Sequence, residues 1–165
     1  MTRNEKYKLV EDFIIENREA HYRLAYSYVR NKENALDIIQ DAIEKALKSI
    51  DRLTEIRYLK TWFYRIIVNT AIDFIRKHKK MTFMDDDLLS HHLPNVEDEL
   101  EDIDLQEAID HLPLPYKSII ILRFFEDLQI DEISKITGLN INTVKTRLYA
   151  ALKKLRLEIG EEFRI

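Results

Sequence analysis

Cysteine is absent from the 165 residues, which excludes disulfides, thiolate metal sites and thiol nucleophiles and suits a reducing compartment. Glycine occurs twice and proline three times, too little turn chemistry for an all-β chain. Leu, Ile, Lys and Glu are abundant, so the expectation is strongly helical. No apolar run approaches the roughly 18–20 residues of a membrane span, and "MTRNEKYKLVEDF" lacks the apolar centre of a signal peptide. The chain reads as a cytoplasmic protein without direct membrane insertion. There is no glycine-rich phosphate loop and no nucleophile motif, so no catalytic residue, cofactor or metal is expected. What is present is 45% hydrophobic residues, enough for packed cores in one medium domain or two small ones.

Charge divides the chain. Residues 1–80 carry net +5, residues 81–111 net −11 with no Lys or Arg, and residues 112–165 net +2, within an overall −4. The segment Gly138–Arg156 has five cations (Lys145, Arg147, Lys153, Lys154, Arg156) and no carboxylate. A basic block, an acidic break and a second basic stretch predict two modules joined by a linker: residues 1–80, a flexible acidic linker over 81–103 containing Pro94, and residues 104–165. Like charges should hold the linker extended. It reads equally as a solvated spacer or as an acidic strand that occupies a groove built for nucleic acid. A metal site built from Asp85–Asp87 with His91 and His92 has hard ligands but no rigid scaffold to fix them.

In the first module, Leu9, Phe13, Ala20, Leu24 and Tyr28, flanked by Val10, Ile14, His21, Ala25 and Val29, have the spacing of a buried helical stripe. A second helix is predicted to start at Asn34 as N-cap and to bury Leu36, Ile39, Ile43, Leu47 and Ile50. Asp37, Asp41, Glu44 and Lys48 fall along its other face, a pattern that by itself reads first as an ordinary solvated surface. A third helix, "YLKTWFYRIIVNTAIDFIRKHKK", buries Leu59, Trp62, Phe63, Ile66, Ile67, Ala71, Phe74 and Ile75. Arg65, Asn69, Asp73, Arg76 and Lys80 then share an arc of about 80°, with Asp73 placed to pair with Arg76 or Lys77. Cations neutralise phosphates and amides read base edges, so the stripe suits nucleic acid, though a solvated face has the same pattern.

In the second module, "SIIILRFFEDL" from Ser118 to Leu128 predicts a mostly buried helix. A short helix over Ile130, Ile133 and Ile136 follows, in which small Ser134 admits a close neighbour. Gly138 terminates it, and Asn140 caps a basic helix that buries Val144, Leu148, Ala151, Leu152 and Leu155. Short helix, glycine turn and basic helix make a helix-turn-helix. Asn142, Thr143, Lys145 and Thr146 are candidates for base or backbone contacts, and Arg147, Tyr149, Lys153 and Lys154 lie along or near the same side. A protein-binding helical hairpin and an autonomous helix-turn-helix regulator are the competing readings.

With these motifs in order, the sequence resembles an extracytoplasmic-function (ECF) sigma factor of the sigma-70 superfamily, and within it the Firmicute SigV-like branch. "ALDIIQDAIEKAL" is similar to region 2.2, "YLKTWFYRIIVNTAIDFIRK" to regions 2.3 and 2.4, and "DEISKITGLNINTVKTRLYAALKKLR" to region 4.2. The resemblance implies an all-α fold: a region 2 helical bundle and a region 4 helix-turn-helix domain on either side of the linker. It implies a bacterial protein that binds RNA polymerase core, through the β′ clamp and the β flap, and promoter DNA, and that is held by an anti-sigma factor, often membrane-anchored. Asp37, Gln40 and Asp41 match the polymerase-binding surface, and Glu44 is a candidate on the same strip. Asn69 matches the asparagine that contributes to −10 recognition, and residues 51–57 match the loop that receives a flipped-out base; Arg57, Lys60, Arg65, Asp73, Arg76 and Lys80 are the −10 candidates beside them. Lys145, Thr146 and Tyr149 match positions that face the −35 element, and Asn142, Thr143, Arg147, Lys153 and Lys154 are the −35 candidates beside them. Where the family often has Arg-Ala-Arg, this chain has Ala150, Ala151 and Leu152, so two expected cations are missing. The acidic linker is expected to lie in a polymerase channel, and neutralising Asp85–Asp87 and Glu97–Asp102 to alter initiation or promoter escape.

Overall fold

A computed structural model describes the backbone of residues 1–89 and 105–159 and the side-chain surroundings of residues 1–79 and 105–158. The apolar stripe that begins at Leu9 is carried by two helices, α1 (Arg3–Glu16) and α2 (Arg18–Val29). The break is at Asn17, whose side-chain amide donates to the Phe13 carbonyl at 2.8 Å and competes with continuation of the helix. Val10 and Ile14 of α1 and Leu24, Ala25 and Tyr28 of α2 are buried, while Leu9 is exposed.

Helix α3 spans Lys32–Lys48, and its cap is Asn31 rather than Asn34: the Asn31 side chain accepts from the Asn34 N–H at 2.9 Å. Its buried line is Ala35, Ile38, Ala42 and Ala46, with Ile39, Ile43 and Leu47 half-buried and Leu36 turned out to solvent. Alanines on that line let α2 and the long helix α4 approach α3 closely, which is why the larger aliphatics sit at the seam instead. Two 3₁₀ turns, Ile50–Arg52 and Ile56–Tyr58, lead into α4 (Leu59–Leu89). Helix α4 therefore continues nine residues into the stretch expected to be extended linker. No Pro or Gly interrupts it before Pro94, and adding a residue to an existing helix costs far less than nucleating one. The remainder of the acidic segment, residues 90–104, lies outside the described residues.

The second module starts with α5 (Leu105–His111) and α6 (Leu114–Ile120). The expected helix over 118–128 does not run through. Its chain widens into a π-helical turn over Ile121–Phe125 and reverses at Asp127, φ +53°. Ser118–Leu122 and Leu128 are buried, but Phe124 is 47% exposed. Helices α7 (Ile130–Thr137) and α8 (Ile141–Ile159) form the helix-turn-helix. Gly138 ends α7 in the left-handed region, φ +77°, its N–H donating to Ser134 O at 2.9 Å. Ser134 does more than leave space: its hydroxyl donates to Leu139 O and pins the turn. Asn140 caps α8 as expected, accepting from the Thr143 N–H at 2.8 Å.

A methyl group at Gly138 would lie 3.3 Å from Nη2 of Arg65, a movable side-chain tip, so the left-handed backbone sets the cost. Gly138→Ala is expected to lower stability by about 1 kcal/mol, read as a lower urea midpoint with an unchanged m-value.

The two modules share one apolar cluster. Leu24, Phe63, Ile67 and Val68 of the first lie in the same contiguous core as Ile119, Ile121, Leu122 and Ile133 of the second. A smaller cluster of Ala108, Ile109, Leu112, Ile120, Ala151 and Leu155 belongs to the second module alone. Polar bonds cross the seam. The Tyr28 hydroxyl donates to Ser118 Oγ at 3.0 Å, and buried Lys117 donates to Tyr28 O at 3.0 Å. The Tyr64 hydroxyl donates to Glu126 Oε1 at 3.1 Å, with Arg23 3.9 Å from Oε2.

Candidate nucleic-acid interface

Three surfaces carry the residues singled out by the sequence. On α3, Asp37, Gln40, Asp41 and Glu44 are all exposed. Asp41 pairs with Lys45 at 3.3 Å and Glu44 with Lys48 at 2.9 Å. Asp37 has no ion pair among the described residues, so it is the uncompensated charge of the strip. Leu36, 48% exposed, is one helical turn from Gln40 and adds an apolar element that the charge pattern did not reveal. An acidic strip beside an exposed leucine suits a cationic protein partner better than DNA.

On α4, Arg65, Asn69, Asp73 and Arg76 are exposed along one line, with Lys60 on the first turn and Arg57 just before it. Among the described residues no ion pair joins Asp73 to Arg76 or Lys77, contrary to expectation; an exposed pair is worth only about 0–1 kcal/mol, so helical spacing alone does not enforce it. Trp62 is half-buried against the core. Lys60 lies over the Tyr64 ring at 5.9 Å, and Arg57 lies over the Tyr58 ring at 4.9 Å and pairs with Glu55. Lys80 belongs to α4, but its side chain lies outside the described residues.

On α8, Asn142, Lys145, Thr146, Tyr149, Lys153 and Lys154 are exposed, whereas Thr143 and Arg147 are half-buried. The N-terminal turn is preorganised by the Asn140 cap and by the Thr146 hydroxyl, which donates to Asn142 O at 2.9 Å. Lys154 lies over the Tyr116 ring at 5.2 Å, away from the tip of the helix. The missing cations at 150 and 152 acquire a partial explanation. Leu152 packs against the second module's own core and helps line an apolar crevice of about 200 Å³ with Leu105, Ile109, Phe124 and Leu155.

Spacing along either helix carries no sign that the α4 and α8 surfaces meet. Asn69 and Arg76 line a crevice of about 140 Å³ together with Thr137, Leu139 and Arg147, and Arg65 donates to Lys135 O at 3.2 Å. The centre of the amide-and-cation stripe is therefore apposed to the helix-turn-helix. The seam also holds an uncomfortable carboxylate: burial pushes Glu126 above its usual range, against the opposing effects of the Tyr64 hydrogen bond and of Arg23 and Lys60. Its Oε2 has no hydrogen-bond partner.

Among the described residues, no group of three or more His, Asp or Glu side chains could hold a metal ion; the side chains of Asp85–Asp87, His91 and His92 lie outside them. Among the described residues, no helix is long and apolar enough to cross a membrane.

Residues 13–81 match sigma-70 region 2, and residues 102–155 match sigma-70 region 4. The chain is 52% identical over 149 residues to the RNA polymerase sigma factor SigV of Bacillus subtilis, covering 90% of both chains. It is 31% identical over 157 residues to the ECF RNA polymerase sigma factor SigW of the same organism, covering 85% of this chain and 83% of that one. In fold, it is similar to the sigma factor RpoE of Bartonella quintana, solved in complex with the anti-sigma factor NepR, with a TM-score of 0.67 and 22% identity over 93% of this chain and 98% of that one. A second fold relative is CnrH, solved with the cytosolic domain of CnrY, with a TM-score of 0.67 and 19% identity over 91% of this chain and 86% of that one. With both sigma-70 regions present in order and half of the residues shared across nine-tenths of a curated relative, the chain belongs to the sigma-70 superfamily of RNA polymerase sigma factors, in its ECF group.

Proposed function

We propose that this ECF sigma factor divides its work among the three surfaces: α3 docks on polymerase, α4 reads the −10 element and α8 reads the −35 element. The observation that carries this is the segregation of exposed charge, with an uncompensated Asp37 on α3 and no carboxylate between Gly138 and Arg156. In this reading residues 1–80 are the region 2 domain, 81–103 the linker and 104–165 the region 4 domain. Asp37, Gln40, Asp41 and Glu44, with Leu36 beside them, meet the β′ clamp.

Arg57, Lys60, Arg65, Arg76 and Lys80 neutralise phosphates of the non-template strand while the Asn69 amide pairs with a base edge and Asp73 borders it. The loop over residues 51–57 takes an unstacked base, which favours melting because a captured base no longer re-pairs. In the −35 duplex, Asn142, Thr143, Lys145 and Thr146 enter the major groove, and Arg147, Tyr149, Lys153 and Lys154 hold its backbone. The apolar crevice on the second module fits an apolar segment of the β flap. Because Asn69 and Arg147 line one crevice, the modules separate before both elements are read, and a partner that clamps them shut is an inhibitor. An anti-sigma factor with a cytoplasmic segment fits that role, and the chain acts in the bacterial cytoplasm.

Run-off transcription with bacterial core polymerase on a promoter panel tests the assignment. Initiation should require this chain and fall about tenfold or more with Asp37→Arg, through lost core binding. It should fall about tenfold with Asn69→Ala, the range for losing one base-reading contact. Initiation that survives both substitutions removes the surface assignment; DNA binding without core and no initiation with it points to a stand-alone regulator.

A further inference from the structure

A cavity of about 620 Å³ opens between the first turn of α1 and the loop ahead of α4, lined by Met1, Lys6, Thr54, Glu55, Ile56 and Arg57. That volume lies within the range of about 300–1,000 Å³ common for small-ligand sites. Its two walls are tied together by the pair Arg3–Asp51 at 3.2 Å. The loop wall is itself braced: Leu53 is buried, and Glu55 pairs with Arg57. Lys6 differs from these neighbours. It is half-buried, it lines the cavity, and its ammonium has neither an ion pair nor a hydrogen bond among the described residues. The next lysine on the same helix, Lys8, is exposed and pairs with Asp12 at 3.6 Å.

We infer that the N-terminal turn of α1 is the second wall of the nucleotide pocket, with Lys6 holding a phosphate of the unpaired strand while the nucleotide sits against the 54–57 loop. This deepens the region 2 reading above and rests on it. Lys6 is half-buried as a residue and unpaired, so its ammonium lacks the counter-charge that a phosphate provides, and a phosphate there displaces no existing ion pair. Ile56 offers an apolar surface to a base plane. The Glu55 carboxylate, although paired with Arg57, keeps free lone pairs and would accept from an exocyclic amine, which favours cytosine, adenine or guanine over thymine. The residues that capture an unstacked nucleotide thus come from the N-terminal helix and from the loop ahead of α4, and the N-terminal helix becomes part of promoter recognition.

The test uses holoenzyme and a forked DNA, single-stranded across the −10 region, from a promoter that the holoenzyme transcribes. Lys6→Ala should weaken binding about three- to tenfold and reduce the magnitude of the log-affinity against log-salt slope by about 0.7, the loss of one single-strand phosphate contact. Lys6→Glu should weaken it further, while Lys8→Ala should match the parent in both affinity and slope. Unchanged affinity and slope with Lys6→Glu, alongside clear loss with Asn69→Ala, overturns this inference alone. No loss with either substitution removes the region 2 reading and this inference with it. A drop in affinity with an unchanged salt slope also overturns it, because the lysine would then be acting through structure rather than through phosphate.

Discussion

Tyr28→Phe combined with Lys117→Met is expected to part the two modules of the free chain. Both residues act at the C-terminal end of α2, where the last carbonyls of the helix lack intrahelical donors. Lys117, on α6, supplies one from across the seam by donating to Tyr28 O at 3.0 Å, with Asp110 3.7 Å from its ammonium. A cation at a helix C-terminus also meets the favourable end of the dipole. Burial lowers the Lys117 pKa, and Asp110 opposes that shift. The Tyr28 hydroxyl donates to Ser118 Oγ at 3.0 Å, and burial raises its pKa, so it remains a donor throughout the working range. A neutral hydrogen bond is worth about 1 kcal/mol and one from a charged group about 1.5–3 kcal/mol. Losing both removes about 3 kcal/mol, on the order of a hundredfold in the closure equilibrium. Small-angle scattering should report a larger radius of gyration at unchanged helicity, and the free chain should gain affinity for a single-stranded −10 oligonucleotide as the crevice lined by Asn69, Arg76 and Arg147 opens. An unchanged radius would assign closure to the apolar cluster alone.

Acidification from pH 6.5 to pH 4 is expected to cost the fold about 3 kcal/mol through one residue, His21. Its ring is 1% exposed, lies between Phe13, Phe63 and Tyr64 at centroid distances of 5.5, 4.7 and 5.8 Å, and has no hydrogen-bond partner for either nitrogen. Burial in that apolar cage lowers its pKa from 6.5 to about 4. Between those values the unfolded chain binds a proton that the folded chain refuses, so stability is full above pH 6.5, declines as pH falls and levels off below about 4. Urea titrations at pH 7 and pH 4.5 should show the decline, and His21→Leu should remove this component and gain stability at the acid end. Glu126 works in the opposite sense. Its carboxyl pKa is raised chiefly by burial, so its contribution is full below the usual carboxylate range and is lost as pH rises through the raised value. A His21→Leu chain with the parent's pH profile would show that the ring is hydrated in solution.

Much of the candidate site was legible in the sequence because its residues report on local geometry. A glycine that must adopt positive φ, an asparagine three residues ahead of an unsatisfied N–H and apolar residues at helical spacing located the helix-turn-helix with its turn at Gly138 and its cap at Asn140. The same periodicity placed Arg65, Asn69, Asp73 and Arg76 on one line of α4. Where local signals compete, tertiary packing decides between them. Asn31 and Asn34 are both good caps, and the structure uses Asn31. Leu36 has the hydrophobicity of a core residue but stands exposed because alanines serve the tight contact. The acidic run after Lys80 looked like linker, yet helix propagation needs only the absence of a breaker, and α4 reaches Leu89.

By itself, the sequence determined the all-α class, the two sigma regions in order and the separation of acidic from basic surfaces. These depend on spacing along one helix and on composition, which are local properties of the chain. Only the tertiary structure decided that the modules share a core, that Tyr64 is buried against Glu126, and that the Asn69 face is apposed to Arg147. Periodicity tells which face of a helix is apolar but not which element covers it. Tyr64 and Glu126 are 62 positions apart, and that pairing is set by packing across the whole fold.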